Sequence, residues 1–482
     1  MSNVVRSAAA ATGLVLALVA ALPAPAWAHG FGERFVLPLP LWLWVAGAGL
    51  TVLLTFAVLG VFVRERRAAA DTACAEIARF APATVAAIRA VAVGLFAVFV
   101  AAGFLGNQDP YQNILPTFVW VIWWVGLAFV CALIGDLWAL VNPFATVFAW
   151  AERAFLLRPL LRYPPRLGAW PAVLVYLGFA WAELIWSAND VPRDLATAVT
   201  AYAAFTWIAM LLFGRERWLQ SGEAFSVAFA VLARFAPLVA ERKADGRAHL
   251  YARPHGAGLA GDVDMRVSFL AFVLLMLATV TFDGFLETPL FQAITNALYS
   301  SRDVADAMFR LADFGISDLQ IIMTVALVLF PILFFAAYWL TSAAMARVTG
   351  SRRPVAYLAC TFVLSLVPIA VAYHLSHYFT LLLTAGQFLI PLTSDPFGWG
   401  WNLFGTRGYE VNIAFVSPYV FWYGATTIIV IGHVIAVYAA HVVALREVPT
   451  RRAAMLSQVP MVLLMVAYTM SSLWILAQPL IG

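Results

Sequence analysis

The sequence predicts an all-α protein, a polytopic bundle of about ten transmembrane helices. Of its 482 residues, 63% are hydrophobic and only 11% are charged, whereas about a quarter of the residues of a soluble domain are charged. Apolar stretches of about 20 residues, the length that crosses a bilayer as a helix, recur along the chain. Basic residues gather in alternate loops between them, as the positive-inside rule requires. We therefore expect a lipid bilayer around the protein, and the net charge of +4 gives no reason to expect nucleic acid.

The chain begins with the pattern of a secretory signal peptide. Arg6 precedes the apolar core GLVLALVAAL, and Ala26 and Ala28 supply an A-x-A cleavage site. We expect residues 1–28 to be removed, so that His29 becomes the mature N-terminus on the outer side of the membrane. An uncleaved first span is the alternative.

Residues 29–482 are expected to form a single integral-membrane helical domain. The distribution of arginines places both the mature N-terminus and the C-terminus on the outer side of the bacterial cytoplasmic membrane. The loop 214–266 is then cytoplasmic and contains an interfacial amphipathic helix, and the aromatic loop 391–416 is outside. The predicted spans lie near residues 38–62, 87–106, 116–141, 168–187, 195–213, 267–287, 318–341, 354–378, 417–443 and 457–478.

Several common catalytic motifs are absent from the sequence. It has no G-x-x-x-x-G-K, no H-E-x-x-H and no G-x-S-x-G. Three cysteines, with no C-x-x-C, provide neither a disulfide framework nor a Cys-rich metal site. The candidates for chemistry are therefore histidines and acids inside the spans, since His249 and His255 lie in the cytoplasmic loop and are expected to be solvated.

Four residues of the spans form a predicted metal site open to the outer side. His374 and His377 are three residues apart and share one face of a helix. Asp283 lies at a similar depth in the sixth span, and His433 lies near the middle of the ninth. An aspartate at the centre of a membrane helix costs about 2.5–3.5 kcal/mol, so such groups pair, face a cavity or bind metal. Imidazole and carboxylate suit a divalent transition metal such as zinc or copper, and Glu287 is then a candidate catalytic base for water bound to the metal.

Four stretches of the sequence form a recognisable set: HGFGERFVLPLPLWLWVAGA, WWVGLAFVCALIGDLWALVNPF, FDGFLETP and SDPFGWGWNLFGT, of which DPFGWGWNLFGT is the most specific part. Together they resemble a family of bacterial multi-pass membrane proteins known as fenitrothion hydrolases. The resemblance extends from His29 through the helix of His433. The resemblance implies that the protein hydrolyses a phosphotriester bond of an organophosphorus compound, which is a small apolar substrate. It does not assign any catalytic residue.

Three functions fit these features. The first is metal-assisted hydrolysis of a phosphotriester at the predicted site. The second is transport of a small apolar solute or a transition metal, with the same residues close to a broken helix. The third is copper handling, in which the amine and imidazole of His29 belong to the site. The alternative to all three is that the polar side chains only join the helices by hydrogen bonds. No feature of the sequence indicates an oligomeric state.

Overall fold

A computed structural model describes residues 39–63, 74–302, 317–412, 416–448 and 450–481 of the chain. Nine helices within these ranges are long and apolar enough to cross a membrane. The predicted all-α polytopic membrane bundle is therefore confirmed. The predicted signal peptide, its cleavage site and His29 lie outside the described residues.

The nine long helices coincide with nine of the ten predicted spans. The remaining predicted span, near residues 168–187, corresponds to a helix of 15 residues, about 22 Å long, whereas the hydrocarbon core of a bilayer is about 30 Å thick. The helices, in chain order, are α1 (Leu41–Phe62), α2 (Pro82–Leu105), α3 (Ile114–Leu133), α4 (Leu137–Val141), α5 (Pro143–Phe155), α6 (Trp170–Leu184), α7 (Pro192–Phe213), α8 (Arg215–Ser221), α9 (Ala224–Leu232), α10 (Val267–Leu286), α11 (Pro289–Ser300), α12 (Asp318–Thr349), α13 (Val355–Ser394), α14 (Pro418–Glu447) and α15 (Arg451–Ile481).

Two of these helices change their winding along their length. In α3 the residues Thr117–Gly126 are π-helical. In α13, 3₁₀ turns at Val363–Leu366 and Ala385–Phe388 interrupt the α-helix. Pro368 follows the first of these turns, and a proline inside a helix removes an N–H and crowds the carbonyl four residues earlier. The break is therefore built into the sequence one to three turns before the histidine pair of the same helix.

The described residues divide into two compact units, although the sequence analysis treats residues 29–482 as one domain. Unit 1 contains α1, the segment 274–377, α14 and α15. Unit 2 contains the described parts of 74–273 and 378–417. Each unit has its own buried core, and the four predicted metal ligands all belong to unit 1.

The core of unit 1 forms around α15, which packs against α1, α12 and α14. A second close contact joins α14 to α13 at Gly432. A Cβ atom added to Gly432 would lie 2.3 Å from the Cβ of Ala372 and 2.8 Å from the carbonyl oxygen of Pro368. Only glycine allows these helices to approach so closely, and this contact fixes the position of the neighbouring residue, His433.

Helix α9 of unit 2 falls in the segment predicted to be an interfacial helix. Seven of its nine residues are buried, so its apolar side chains face protein. Glu223 caps its N-terminus and accepts hydrogen bonds from the backbone N–H groups of Phe225 (3.0 Å) and Ser226 (2.7 Å). The hydroxyl of Tyr202 also donates to Glu223. A fully buried carboxylate is thus satisfied by three donors, as burial of a charge requires.

Unit 2 also contains a small sheet, which the sequence did not predict. Its strands lie in segments that connect helices along the chain. Its strands are β1 (Ala75–Phe80), β2 (Leu238–Arg242) and β3 (Ala248–Ala252). They pair antiparallel in the order β1-β3-β2, with β3 in the centre. The sheet therefore joins the segment after α1, which contains β1, to the segment after α9, which contains β2 and β3.

The sheet corrects the expectation that His249 is solvated. Its ring is buried, with Nδ1 3.2 Å from Glu76 Oε1 and Nε2 3.0 Å from Asp245 Oδ2. The pKa of Glu76 is lowered, first by the hydrogen bond from Arg79 and also by that from His249. The pKa of Asp245 is lowered by the hydrogen bond from the backbone N–H of Arg247 and then by that from His249. The sequence pattern did not reveal this cluster because its members come from two distant loops.

Candidate functional site

An aspartate–histidine pair is the main polar feature inside unit 1. Asp283, near the end of α10, and His377, on α13, face one another with Oδ2 and Nε2 2.7 Å apart. The two side chains are only 24% and 19% exposed, so most of their surface contacts protein. The 2.7 Å separation is that of a short, strong hydrogen bond between the two side chains.

Aromatic and hydroxyl groups surround this pair. The ring of Tyr373, one turn before His377, is stacked on the imidazole with the ring planes within 10°. The Tyr373 hydroxyl is buried and has no hydrogen-bond partner among the described residues. The ring of Tyr468, on α15, lies 6.3 Å from the Tyr373 ring, centroid to centroid. The hydroxyls of Tyr468 and Thr281 are hydrogen-bonded at 2.5 Å. Tyr373 thus lies next to His377, and Tyr468 lies next to Tyr373.

Gly284 allows the helices to converge at this point. A Cβ atom here would lie 2.7 Å from Ile475 Cγ2, 3.2 Å from the Tyr373 hydroxyl and 3.5 Å from His377 Cε1. A side chain at position 284 would therefore enter the space beside the pair. The small residue next to Asp283 is part of what brings the carboxylate and the imidazole into contact.

His433 is buried elsewhere in the same core. Its Nδ1 lies 2.8 Å from the carbonyl oxygen of Ile429, the residue four positions earlier on α14. That contact assigns the proton to Nδ1 and leaves the lone pair on Nε2, which has no hydrogen-bond partner among the described residues. Tyr468 lies beside it, with ring centroids 6.0 Å apart. A metal-binding imidazole is commonly oriented in this way by a carbonyl.

The remaining predicted site residues are dispersed. His374 is buried on α13, one turn before His377. Glu287 lies just beyond the end of α10 with an exposed side chain. Among the described residues, no three histidine, cysteine, aspartate or glutamate side chains lie close enough together to hold one metal ion. The described side chains alone therefore do not form a complete metal centre, and zinc or copper binding stays a prediction.

The chain matches no protein-family profile, no curated protein and no solved structure at a significant level.

The predicted aromatic loop 391–416 belongs to unit 2 and is held by short polar contacts. Asp395 accepts hydrogen bonds from the backbone N–H groups of Trp399 (2.9 Å) and Gly400 (2.7 Å). The hydroxyls of Ser394 and Thr406 are hydrogen-bonded at 2.7 Å, and this contact closes the base of the loop. The Asp-Pro-Phe-Gly pattern at its start thus has a structural reason, because the aspartate folds the chain back on itself.

Two phenols and one hydroxyl at the site were not predicted. Tyr373 had a signal in the sequence, since it lies four residues before His377 and must share its helix face. Tyr468 and Thr281 had none, because the polar residues of α10 and α15 are not gathered on one face of either helix. Their contact depends on the packing of two helices 187 residues apart in the chain.

Proposed function

We propose that the protein is a membrane-embedded hydrolase of small apolar phosphotriesters and that Asp283 and His377 supply its general base. The observation that carries the proposal is the 2.7 Å contact between these two side chains. A histidine held by a carboxylate is a common general base, and general-base catalysis typically contributes about 10²–10⁴-fold. The substrate class comes from the resemblance to fenitrothion hydrolases.

The proposed step is attack of water on phosphorus. The water oxygen forms a bond to phosphorus as the bond to the aryl oxygen breaks, and the aryl oxide leaves. The proton of the water passes to the Asp283–His377 pair. Tyr373, whose buried hydroxyl needs an acceptor, is placed to donate a hydrogen bond to an oxygen of the substrate. No step of this scheme requires Glu287, the catalytic base predicted from the sequence.

The location of the site agrees with an apolar substrate. A neutral triester dissolves in the hydrocarbon region, and the pair lies between helices of that region. We further propose that the protein resides in the bacterial cytoplasmic membrane with both mature termini outside. The distribution of arginines supports this orientation.

Release of nitrophenol from an aryl phosphotriester by the purified full-length protein tests the proposal. We expect turnover in the wild type and a loss of about 100-fold or more in Asp283→Asn and in His377→Gln. Glu287→Gln is the matched control, because it removes a carboxylate one turn away. Full activity in the two pair variants, or activity lost only in Glu287→Gln, would contradict the role of the pair. Elemental analysis of the same preparation tests the predicted metal.

Proton-coupled transport is the second candidate, and the interrupted helix favours it. The 3₁₀ turn at Val363–Leu366 lies on the same helix as His377, and broken helices next to titratable pairs are typical of transporters. In that case protonation of the pair would alternate during the cycle. Proton-driven uptake of the intact triester into vesicles, without release of nitrophenol, would establish transport and reject hydrolysis.

A further inference from the structure

Unit 2 encloses an aromatic chamber that the proposed function does not use. Its volume is about 510 Å³, within the range of small-molecule sites. Helices α2, α3, α6 and α7 form most of its walls, and residues of α4, α5 and α9 complete them. Along α2 it extends from Ala92 to Val100, about 12 Å of helix. The rings that line it include Phe96, Phe99, Trp120, Trp123, Phe179 and Phe225.

The walls of the chamber are held in fixed orientations. The rings of Trp123 and Phe225 lie 4.6 Å apart at 70°, and those of Phe179 and Phe225 lie 4.8 Å apart at 89°. These are edge-to-face contacts, which aromatic rings prefer. The chamber is thus a preformed cavity with the shape and polarisability that suit another flat ring.

One polar group in the wall lacks a partner. The indole N–H of Trp120 donates to the carbonyl oxygen of Asn189 (2.8 Å), and the hydroxyl of Tyr202 donates to Glu223. Trp138 also lines the chamber and is only 3% exposed, but its indole N–H has no hydrogen-bond partner among the described residues. A buried donor of this kind calls for an acceptor, which a ligand in the chamber would supply.

The charge of the walls restricts the ligand further. None of the described residues that line the chamber is charged, so an ion would lose its hydration there without compensation. Leu95, Gly178 and Ala198 line the chamber and are also exposed, and all three lie on apolar helices. Access is therefore from the hydrocarbon of the bilayer, and the ligand must be soluble in it.

We propose that this chamber binds a neutral, membrane-soluble molecule with a flat ring and a carbonyl acceptor, a quinone-like compound. The carbonyl accepts from Trp138, and the ring packs against the faces of Phe179 and Phe225 that line the chamber. This inference does not depend on the hydrolase proposal, because it concerns residues of unit 2 alone. The ligand could come from the quinones of the membrane or from a foreign arene, and the experiment below separates the two sources.

Native mass spectrometry with menadione as the probe tests the proposal. Gly178 lines the chamber and has open space around its Cα, so Gly178→Trp fills the chamber without a backbone clash. Gly94 also has open space but does not line the chamber, which makes Gly94→Trp the matched control. We expect menadione binding to weaken about tenfold or more in Gly178→Trp and to be unchanged in Gly94→Trp. Equal binding by both variants would overturn the proposal.

The acceptor is tested separately. Trp138→Phe keeps the ring but removes the donor, so menadione should bind roughly fivefold more weakly, whereas methylnaphthalene, which has no carbonyl, should bind equally well to both proteins. Loss of both probes, or of neither, would contradict the hydrogen bond. An organic extract of the purified wild type should contain a ring-bearing neutral compound that is missing from Gly178→Trp. Its mass distinguishes a membrane quinone from an added arene, and recovery of phospholipid alone would reject the proposal.

Discussion

Replacement of Gly432 by alanine should loosen the contact between α13 and α14. The added methyl group would lie 2.3 Å from the Cβ of Ala372 and 2.8 Å from the carbonyl oxygen of Pro368. Neither neighbour is the flexible end of a long side chain, so the two helices must move apart. Overpacking of this kind costs about 1–3 kcal/mol.

The matched control is Gly424→Ala on the same helix. A Cβ atom at position 424 has no other atom within 4 Å, so this variant only gains helix propensity, at most about 1 kcal/mol. The same gain applies at Gly432, and it cancels when the two variants are compared. The difference in free energy of unfolding should therefore be about 1–3 kcal/mol, or roughly 5- to 150-fold in the unfolding equilibrium.

Titration of the purified protein with sodium dodecyl sulfate in mixed micelles, followed by tryptophan fluorescence, measures this difference. Gly432→Ala should unfold at a lower fraction of the detergent than Gly424→Ala. Because His433 follows Gly432 directly, the same variant should also disturb the core of the candidate site. If Gly432→Ala is as stable as Gly424→Ala, the close approach of the two helices is not a feature of the folded protein.

Three further predictions concern buried or paired carboxylates. Glu223→Ala removes a helix cap and leaves a buried hydroxyl without its acceptor, so the detergent titration should show a loss of about 1–3 kcal/mol, and Glu223→Gln should lose less. The folded-state pKa values of Glu76 and Asp245 are lowered. Their contribution to stability is therefore present above the ordinary values of 4.5 and 3.8 and is lost as the pH falls below them. Protection of the β3 amides from hydrogen exchange, relative to the unfolded chain, should fall with it, and protection that stays constant down to pH 3 would argue against this. Asp283→Asn and His377→Gln should be non-additive, with a coupling of about 0.5–3 kcal/mol in a double-mutant cycle, whereas additive losses would mean that the pair does not interact.

The sequence predicted the helices well because the bilayer imposes a strong and simple rule. A span needs about 20 apolar residues, and the nine long helices meet that rule without reference to their neighbours. The contact between Asp283 and His377 was also within reach, since both residues are costly in lipid and lie at a similar depth. The free-energy cost of placing these two side chains in lipid predicted that each would be paired. Their similar depth in the membrane predicted that they could pair with one another.

The parts that the sequence did not predict depend on pairing over long distances. The strands are five or six residues long and lie in loops with no clear alternation, so only their partners identify them. Tyr468 contacts Thr281 because one side of α15 faces α10, and a helix whose polar residues are not gathered on one face carries no signal of its orientation. The aromatic chamber of unit 2 is likewise lined by residues of seven helices, none of which shows it alone.

The order of the strands also has a consequence for synthesis. Phe80 of β1 pairs with Ala248 of β3, which is 168 residues later in the chain. At about 5–20 residues per second, the ribosome needs roughly 8–35 seconds to supply that partner. During this interval β1 has an unpaired edge, and three long apolar helices and the shorter α6 must be synthesised before it can be covered. The sheet can therefore assemble only after the first half of the chain has been synthesised. A nascent protein that is arrested before β3 should expose β1 to chaperones or proteases.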